Sequence, residues 1–166
     1  MNQPARPRKP FDFDAYVHDI QTKPCFLCAI AAKDPEYAHH IVYEDDMAIA
    51  FLNKYPVLYG YTLVAPKEHR EQVTGDFAID EYLELQQVIH RVAEAVRLAT
   101  NAERIYILSL GSQQGNRHVH WHIAPLPPGV PYKEQQLAAL DIEQGILDAT
   151  AAEMAALAAR IRSRIE

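Results

Sequence analysis

The chain has 166 residues, 49% of them apolar, and a formal net charge of −6 from 16 basic and 22 acidic side chains. That is the length of one domain with an ordinary core, which excludes wholesale disorder, and the acidic balance argues against a general nucleic-acid-polymer or membrane-surface binder. No apolar run approaches the ~20 residues of a membrane span, no apolar stretch follows Met1–Pro10 as in a secretory leader, and two cysteines make no disulfide framework, so a cytoplasmic location is expected.

Met1–Pro10 carries three prolines and three positive charges without periodicity and reads as a flexible arm (1–10). Phe11–Ile20 is expected to form a short docking helix, and Cys25–Lys33 a short helix or turn ended by Asp34-Pro35. Extended runs follow at His40–Tyr43, Met47–Leu52 and Tyr61–Ala65, the first two separated by the Glu44-Asp45-Asp46 turn. Glu81–Ala99 predicts the clearest helix, since Tyr82, Leu85, Ile89, Val92, Val96 and Ala99 recur at alternating spacings of three and four. His90 falls off that stripe and reads as solvated. Arg104–Leu110 is a fourth strand, Gly111–Arg117 a polar loop, and His118–Ala124 a fifth strand, with Pro125, Pro127, Pro128 and Pro131 expected to stop pairing. A capping box, Thr150-x-x-Glu153, introduces a final helix bearing Met154, Leu157, Ile161 and Ile165 on one side. Hairpins ahead of one long helix suggest an α+β domain on an antiparallel sheet.

Chemistry concentrates in His118, His120 and His122, which alternate with Val119, Trp121 and Ile123. On a strand, alternate side chains share a face, so the imidazoles line up and the apolar residues face the core. Two readings compete: a metal site, because imidazole suits zinc, or a histidine nucleophile toward phosphorus, because a neutral imidazole is available near pH 7. The preceding loop, Gly111-Ser112-Gln113-Gln114-Gly115-Asn116, offers amides and flexible backbone N–H groups that suit a phosphate, which favours the nucleophile. Cys25-x-x-Cys28 is either a redox pair or half of a zinc site. No thioredoxin-like context accompanies it, and the spacing alone does not select further ligands. His39 and His40, at the start of a short strand, read as surface residues.

The run HVHWHIA, preceded by IVYEDDMAIAFLNKYPVLYGYTLVAPKEH, resembles the histidine-triad (HIT) superfamily over roughly Cys25–Pro125. The resemblance implies a five-stranded antiparallel sheet with helices, dimerised into a ten-stranded sheet, over residues 11–128, with 129–166 a C-terminal helical extension. It implies a nucleotide substrate cleaved or transferred at the α-phosphate, with His120 the nucleophile and His122 orienting it or bonding the phosphate and leaving group. Asn53 stands where the family contacts the ribose. Gln114, Gly115 and Asn116 lie in the phosphate loop, and Phe51 helps form the base pocket. In the branch with a C-x-x-C pair, structural zinc is held by the set matching Cys25, Cys28, His69 and His118, with His39 or His40 as substitutes for His69 if the geometry differs. Such a closed Cys₂His₂ site leaves no open position for catalysis.

Three departures stand out. Tyr61 occupies a position where many hydrolase members carry histidine, the triad loop is about two residues shorter than in the nucleotide-binding hydrolases, and Ser109-Leu110-Gly111 replaces a more polar approach. A third-position His122, rather than the glutamine of uridylyltransferases, favours hydrolysis over transfer. The expectation is a nucleotide hydrolase acting on a dinucleoside polyphosphate or nucleoside monophosphate derivative. The rivals are a nucleotide-binding protein with little turnover, a nucleotidyltransferase or phosphorylase of the same superfamily, and a metallohydrolase using the three histidines directly.

Overall fold

The computed structural model of the chain describes residues 6–165. A two-residue strand, β1 (Arg8–Lys9), leads into helices α1 (Phe13–Thr22) and α2 (Phe26–Ala31). The three extended runs condense into β2 (Ile41–Glu44), β3 (Ala48–Leu52) and β4 (Thr62–Pro66). Asp45 closes the first hairpin: its carboxylate accepts from the Met47 and Ala48 backbone N–H groups and from the Tyr43 hydroxyl. Helix α3 (Ile79–Thr100) then crosses to β5 (Arg104–Ser109) and β6 (Trp121–Leu126). All neighbours in the sheet order β2-β3-β4-β6-β5 are antiparallel.

Every residue of β3 and β4 is buried, which requires cover on both faces of the sheet. One face, with Ala50, Leu52, Val64, Trp121 and Ile123, packs under Leu85, Ile89, Val92 and Val96 of α3. The other, with Ile49, Phe51, Leu63, Ala65 and Ala124, packs against Leu27 and Ile30 of α2 and the Val57-Leu58 loop. The α3 stripe is the one the periodicity predicts, and His90 is exposed on its far side.

Two strand expectations need correction. The fifth strand begins at Trp121, three residues later than the alternation suggests. β4 ends at Pro66, whose carbonyl is taken by the His118 ring, and the Val119 N–H turns instead to the Arg70 carbonyl at 2.7 Å. Pro125 does not stop pairing but lies inside β6 opposite Ile105. Its ring fixes φ near the extended range and removes only one ladder donor.

Met1–Ala5 of the expected arm lie outside the described residues, but Arg8–Lys9 are anchored. They pair with β7 (Ile146–Leu147), and the Arg8 guanidinium donates to the carbonyls of Gly145 (2.6 Å) and Val57 (2.9 Å). The last helix, α4 (Ala151–Arg162), starts at the expected capping box, where Thr150 Oγ1 accepts from Glu153 N and the Glu153 carboxylate accepts from Thr150 N. Its buried Met154, Leu157, Ala158 and Ile161 join the α3 core, so the segment after 129 completes that core. Among the described residues, no helix is long and apolar enough to cross a membrane.

Candidate active site and metal cluster

The three triad histidines divide between two sites. His118, 1% exposed, turns Nδ1 toward two thiols, 3.4 Å from Cys25 Sγ and 3.5 Å from Cys28 Sγ. His69 Nδ1 lies 3.3 Å from Cys28 Sγ, and the two imidazole centroids are 4.7 Å apart. The four donor atoms all lie within 4.8 Å of one another. α2 brings Cys25 and Cys28 onto one turn, while the segments after β4 and before β6 supply His69 and His118. His39 and His40 are not in this cluster. His39 is half-buried rather than on the surface: its Nδ1 bonds the Tyr37 carbonyl and its ring meets Phe51 edge-on at 5.1 Å.

Both histidines present Nδ1 to the cluster and commit Nε2 outward. His118 Nε2 donates to the Pro66 carbonyl at 2.9 Å, and His69 Nε2 lies 3.1 Å from a Glu71 carboxylate oxygen. Such outer partners fix the tautomer and orientation of metal-ligating imidazoles, so the chemistry of the donor set fits a tetrahedral cation. Burial and the neighbouring Cys25 push the Cys28 thiol up to about 11. A thiolate ligand there needs a cation's charge to offset that cost.

His120 and His122 form the second site on the α2 face of the sheet, ring centroids 4.8 Å apart. His120 is 3% exposed, and its Nδ1 donates to the His118 carbonyl at 2.8 Å. That bond fixes the proton on Nδ1 and leaves the Nε2 lone pair for chemistry. Burial lowers the pKa of His120, keeping the ring neutral. His122 accepts at Nδ1 from the Tyr61 hydroxyl, 3.0 Å away, while its Nε2 is buried without a partner among the described residues. Burial, with the adjacent His120, takes the His122 pKa down to about 3; burial takes Tyr61 up to about 12.

The other expected contacts are distributed unevenly. Asn53 closes β3, its backbone N–H on the Tyr61 carbonyl and its side-chain oxygen accepting from Tyr55 N. Phe51 has no exposed surface. The ring between it and the triad is Phe26, half-buried, edge-on to Phe51 at 6.5 Å and to His120 at 6.2 Å. Gly111, at φ +140°, runs where a Cβ would strike the Asn116 carbonyl at 2.6 Å and stand 4.0 Å from His120 Cε1. Gln114 is exposed, its N–H on the Ser112 hydroxyl. Helix α1 covers the rest of this loop: Ile20 packs where a Gly115 side chain would go, and Asn116 Nδ2 donates to the Tyr16 hydroxyl at 2.8 Å. A cavity of about 410 Å³ lies elsewhere, between Arg8, Tyr59, Thr100 and the prolines 125–131, and contains no triad residue.

The HIT domain family matches residues 34–128. The chain belongs to the HIT family. An uncharacterized HIT-like protein of Saccharolobus solfataricus is 34% identical over 67% of this chain and 86% of its own length. The Bacillus subtilis protein hit is 32% identical over 61% of this chain and 70% of its own. Among solved structures, a hypothetical histidine triad nucleotide-binding protein from Sulfolobus tokodaii superposes with a TM-score of 0.68 at 30% identity, covering 85% of this chain and 91% of that one. A zinc-bound histidine triad family protein from Mycobacterium smegmatis shares the fold, with a TM-score of 0.65 at 22% identity over 85% and 92% of the two chains. The HIT match begins after the cysteines, so α1, α2 and half of the metal cluster lie outside it.

Proposed function

We propose that this HIT protein is a nucleotide phosphohydrolase that cleaves at the α-phosphate of a dinucleoside polyphosphate or a nucleoside monophosphate derivative. The carrying observation is the His120 hydrogen bond: with Nδ1 spent on the His118 carbonyl and the ring held neutral, Nε2 is a ready nucleophile. Its lone pair forms the P–N bond as the P–O bond to the leaving group breaks, and the leaving oxygen keeps the electron pair. The Nδ1–H bond to a backbone carbonyl stabilises the positive charge that develops on the ring. Water then attacks phosphorus, the P–N electrons return to Nε2, and a water proton passes to solvent. His122 bonds the reacting phosphate, Asn53 the ribose, and the backbone around Gln114, Gly115 and Asn116 the phosphate oxygens. Phe26, backed by Phe51, gives the base an aromatic wall.

The Cys25, Cys28, His69 and His118 set would hold a structural zinc ion, which would tie α2 to the sheet and supply no group to the reaction. The working form is a cytoplasmic homodimer, with neither a nucleic-acid polymer nor a membrane as partner. Of the two sheet edges, β2 and β5, the latter exposes Ile107 and nearby Leu110. The test is brief exposure to a mixed nucleotide pool followed by mass spectrometry. Wild type is expected to carry a nucleotidyl group on His120, and His120→Ala to lose turnover by at least about a thousandfold with fold and zinc content intact. Wild-type hydrolysis by His120→Ala would overturn the assignment. One observation favours the low-turnover rival: the Tyr16 bond to Asn116 and the Ile20 contact over Gly115 occupy part of the loop. Thermal stabilisation by AMP or ADP without product would select that rival, and the same outcome would count against a transferase or phosphorylase.

A further inference from the structure

Tyr61 is the position at which this chain departs from many hydrolase members, and it is also the partner of the third triad histidine. The two rings meet edge-on, centroids 5.8 Å apart, with Tyr61 itself 5% exposed. The hydroxyl has one acceptor within reach among the described residues, His122 Nδ1 at 3.0 Å. A buried hydroxyl that failed to donate would leave an orphaned proton, so the phenol is the donor and the imidazole the acceptor. The His122 proton therefore resides on Nε2, and that atom is buried without a partner among the described residues. An unmet N–H beside the His120 ring is a standing cost that a bound acceptor oxygen relieves.

We propose that Tyr61 is a positioning residue that holds His122 in its Nε2–H tautomer, aimed at an oxygen of the reacting phosphate. In this arrangement Tyr61 restricts fast turnover to leaving groups that depart as phosphate oxyanions, not amines. The inference rests on the nucleotidyl-histidine reading above. As His120 Nε2 bonds to phosphorus, the electron pair of the breaking bond goes to the leaving atom. A bridging phosphate oxygen accepts that pair as a stable anion and needs only a hydrogen bond. An amine nitrogen must take up a proton as its bond to phosphorus breaks, which calls for an acid. Among the described residues, the groups facing that position are His120, whose Nε2 is spent on phosphorus, and the hydrogen-bonded pair His122 and Tyr61, where burial disfavours imidazolium and ionisation of the phenol. The pair donates a hydrogen bond without surrendering a proton. A histidine in place of Tyr61 could carry one.

The test compares two substrates with the same adenylyl group: diadenosine triphosphate and an adenosine 5′-phosphoramidate of a primary amine. Single-turnover rates of adenylyl-His120 formation are measured in the zinc-replete full-length protein. Wild type is expected to react with the anhydride at least about a hundredfold faster. Tyr61→Phe is expected to slow the anhydride reaction about tenfold or more with little change in KM. Tyr61→His is expected to narrow the substrate ratio at least about tenfold by accelerating the phosphoramidate, whose rate then falls as pH rises. Equal wild-type rates, an unmoved ratio in Tyr61→His, or wild-type speed in Tyr61→Phe would each overturn the proposal. Should Tyr61→Phe fail to fold, the Tyr61→His ratio decides alone. Adduct formation with an unmoved ratio overturns only the Tyr61 proposal, whereas no adduct from either substrate overturns the parent reading with it.

Discussion

His118 and His122 lie two residues to either side of His120 with opposite commitments. Both nitrogens of His118 are engaged, Nδ1 at the thiols and Nε2 on the Pro66 carbonyl. His122 has one nitrogen on Tyr61 and the other buried without a partner among the described residues. An imidazole whose two nitrogens both meet protein groups is held in place by them, while one with an unmet nitrogen keeps a hydrogen-bonding position for a ligand. In the proposed function, three identical side chains in strict alternation thus split into a ligand, a nucleophile and a hydrogen-bond donor. The difference comes from what α2, β4 and the segment after β4 place against each ring.

The most forceful way to break this division is at the metal cluster. Cys28→Ser removes a sulfur donor from a set that joins α2 to the segments after β4 and before β6. The expected result is loss of bound zinc and of more than about 4 kcal/mol of stability, read by metal analysis and chemical denaturation. The fraction still folded is expected to form the His120 adduct. Unchanged stability with zinc retained would mean that His118 is no more structural than His122.

A second substitution sharpens the contrast from the opposite face of the sheet. Leu157 of α4 is fully buried in the core that also holds Trp121 and Ile123. Leu157→Ala is expected to cost about 2–5 kcal/mol through the cavity it leaves, while the turnover rate per folded molecule and the zinc content stay at wild-type values. A selective loss of catalysis would show that α4 supports the histidine face and is more than core.

Much of this arrangement was legible in the chain itself. Alternation assigned Val119, Trp121 and Ile123 to the core and the histidines to the opposite face, and the packing of those three under α3 agrees. The same pattern misplaced the start of β6, because alternation is blind to the capture of the Pro66 carbonyl by the His118 ring. Four cluster donors from three separate segments do not follow from spacing, and the family resemblance supplied the set. Phe26 was within reach of sequence reasoning: it sits between the two cysteines, so fixing them near His118 carries its ring toward His120. The cover of the triad loop by α1 had no local signal, since Tyr16 and Asn116 meet across 100 residues.

The smallest expected effect isolates the charge of His122. Its folded pKa of about 3 lies below the ~6.5 of an unfolded imidazole, so between those values the unfolded chain binds the extra proton. The associated stability is fully present above pH ~6.5 and is lost as pH falls toward 3, at a slope of up to about 1.4 kcal/mol per pH unit. His122→Gln removes that proton uptake while keeping a polar side chain, so its stability is expected to fall less steeply than wild type from pH 6.5 to 5. The comparison, made by denaturant midpoints at matched ionic strength, cancels the carboxylates and metal ligands common to both proteins. Parallel curves would mean that His122 titrates as it does in water, and a ring so solvated would not hold a buried N–H in wait for a phosphate oxygen.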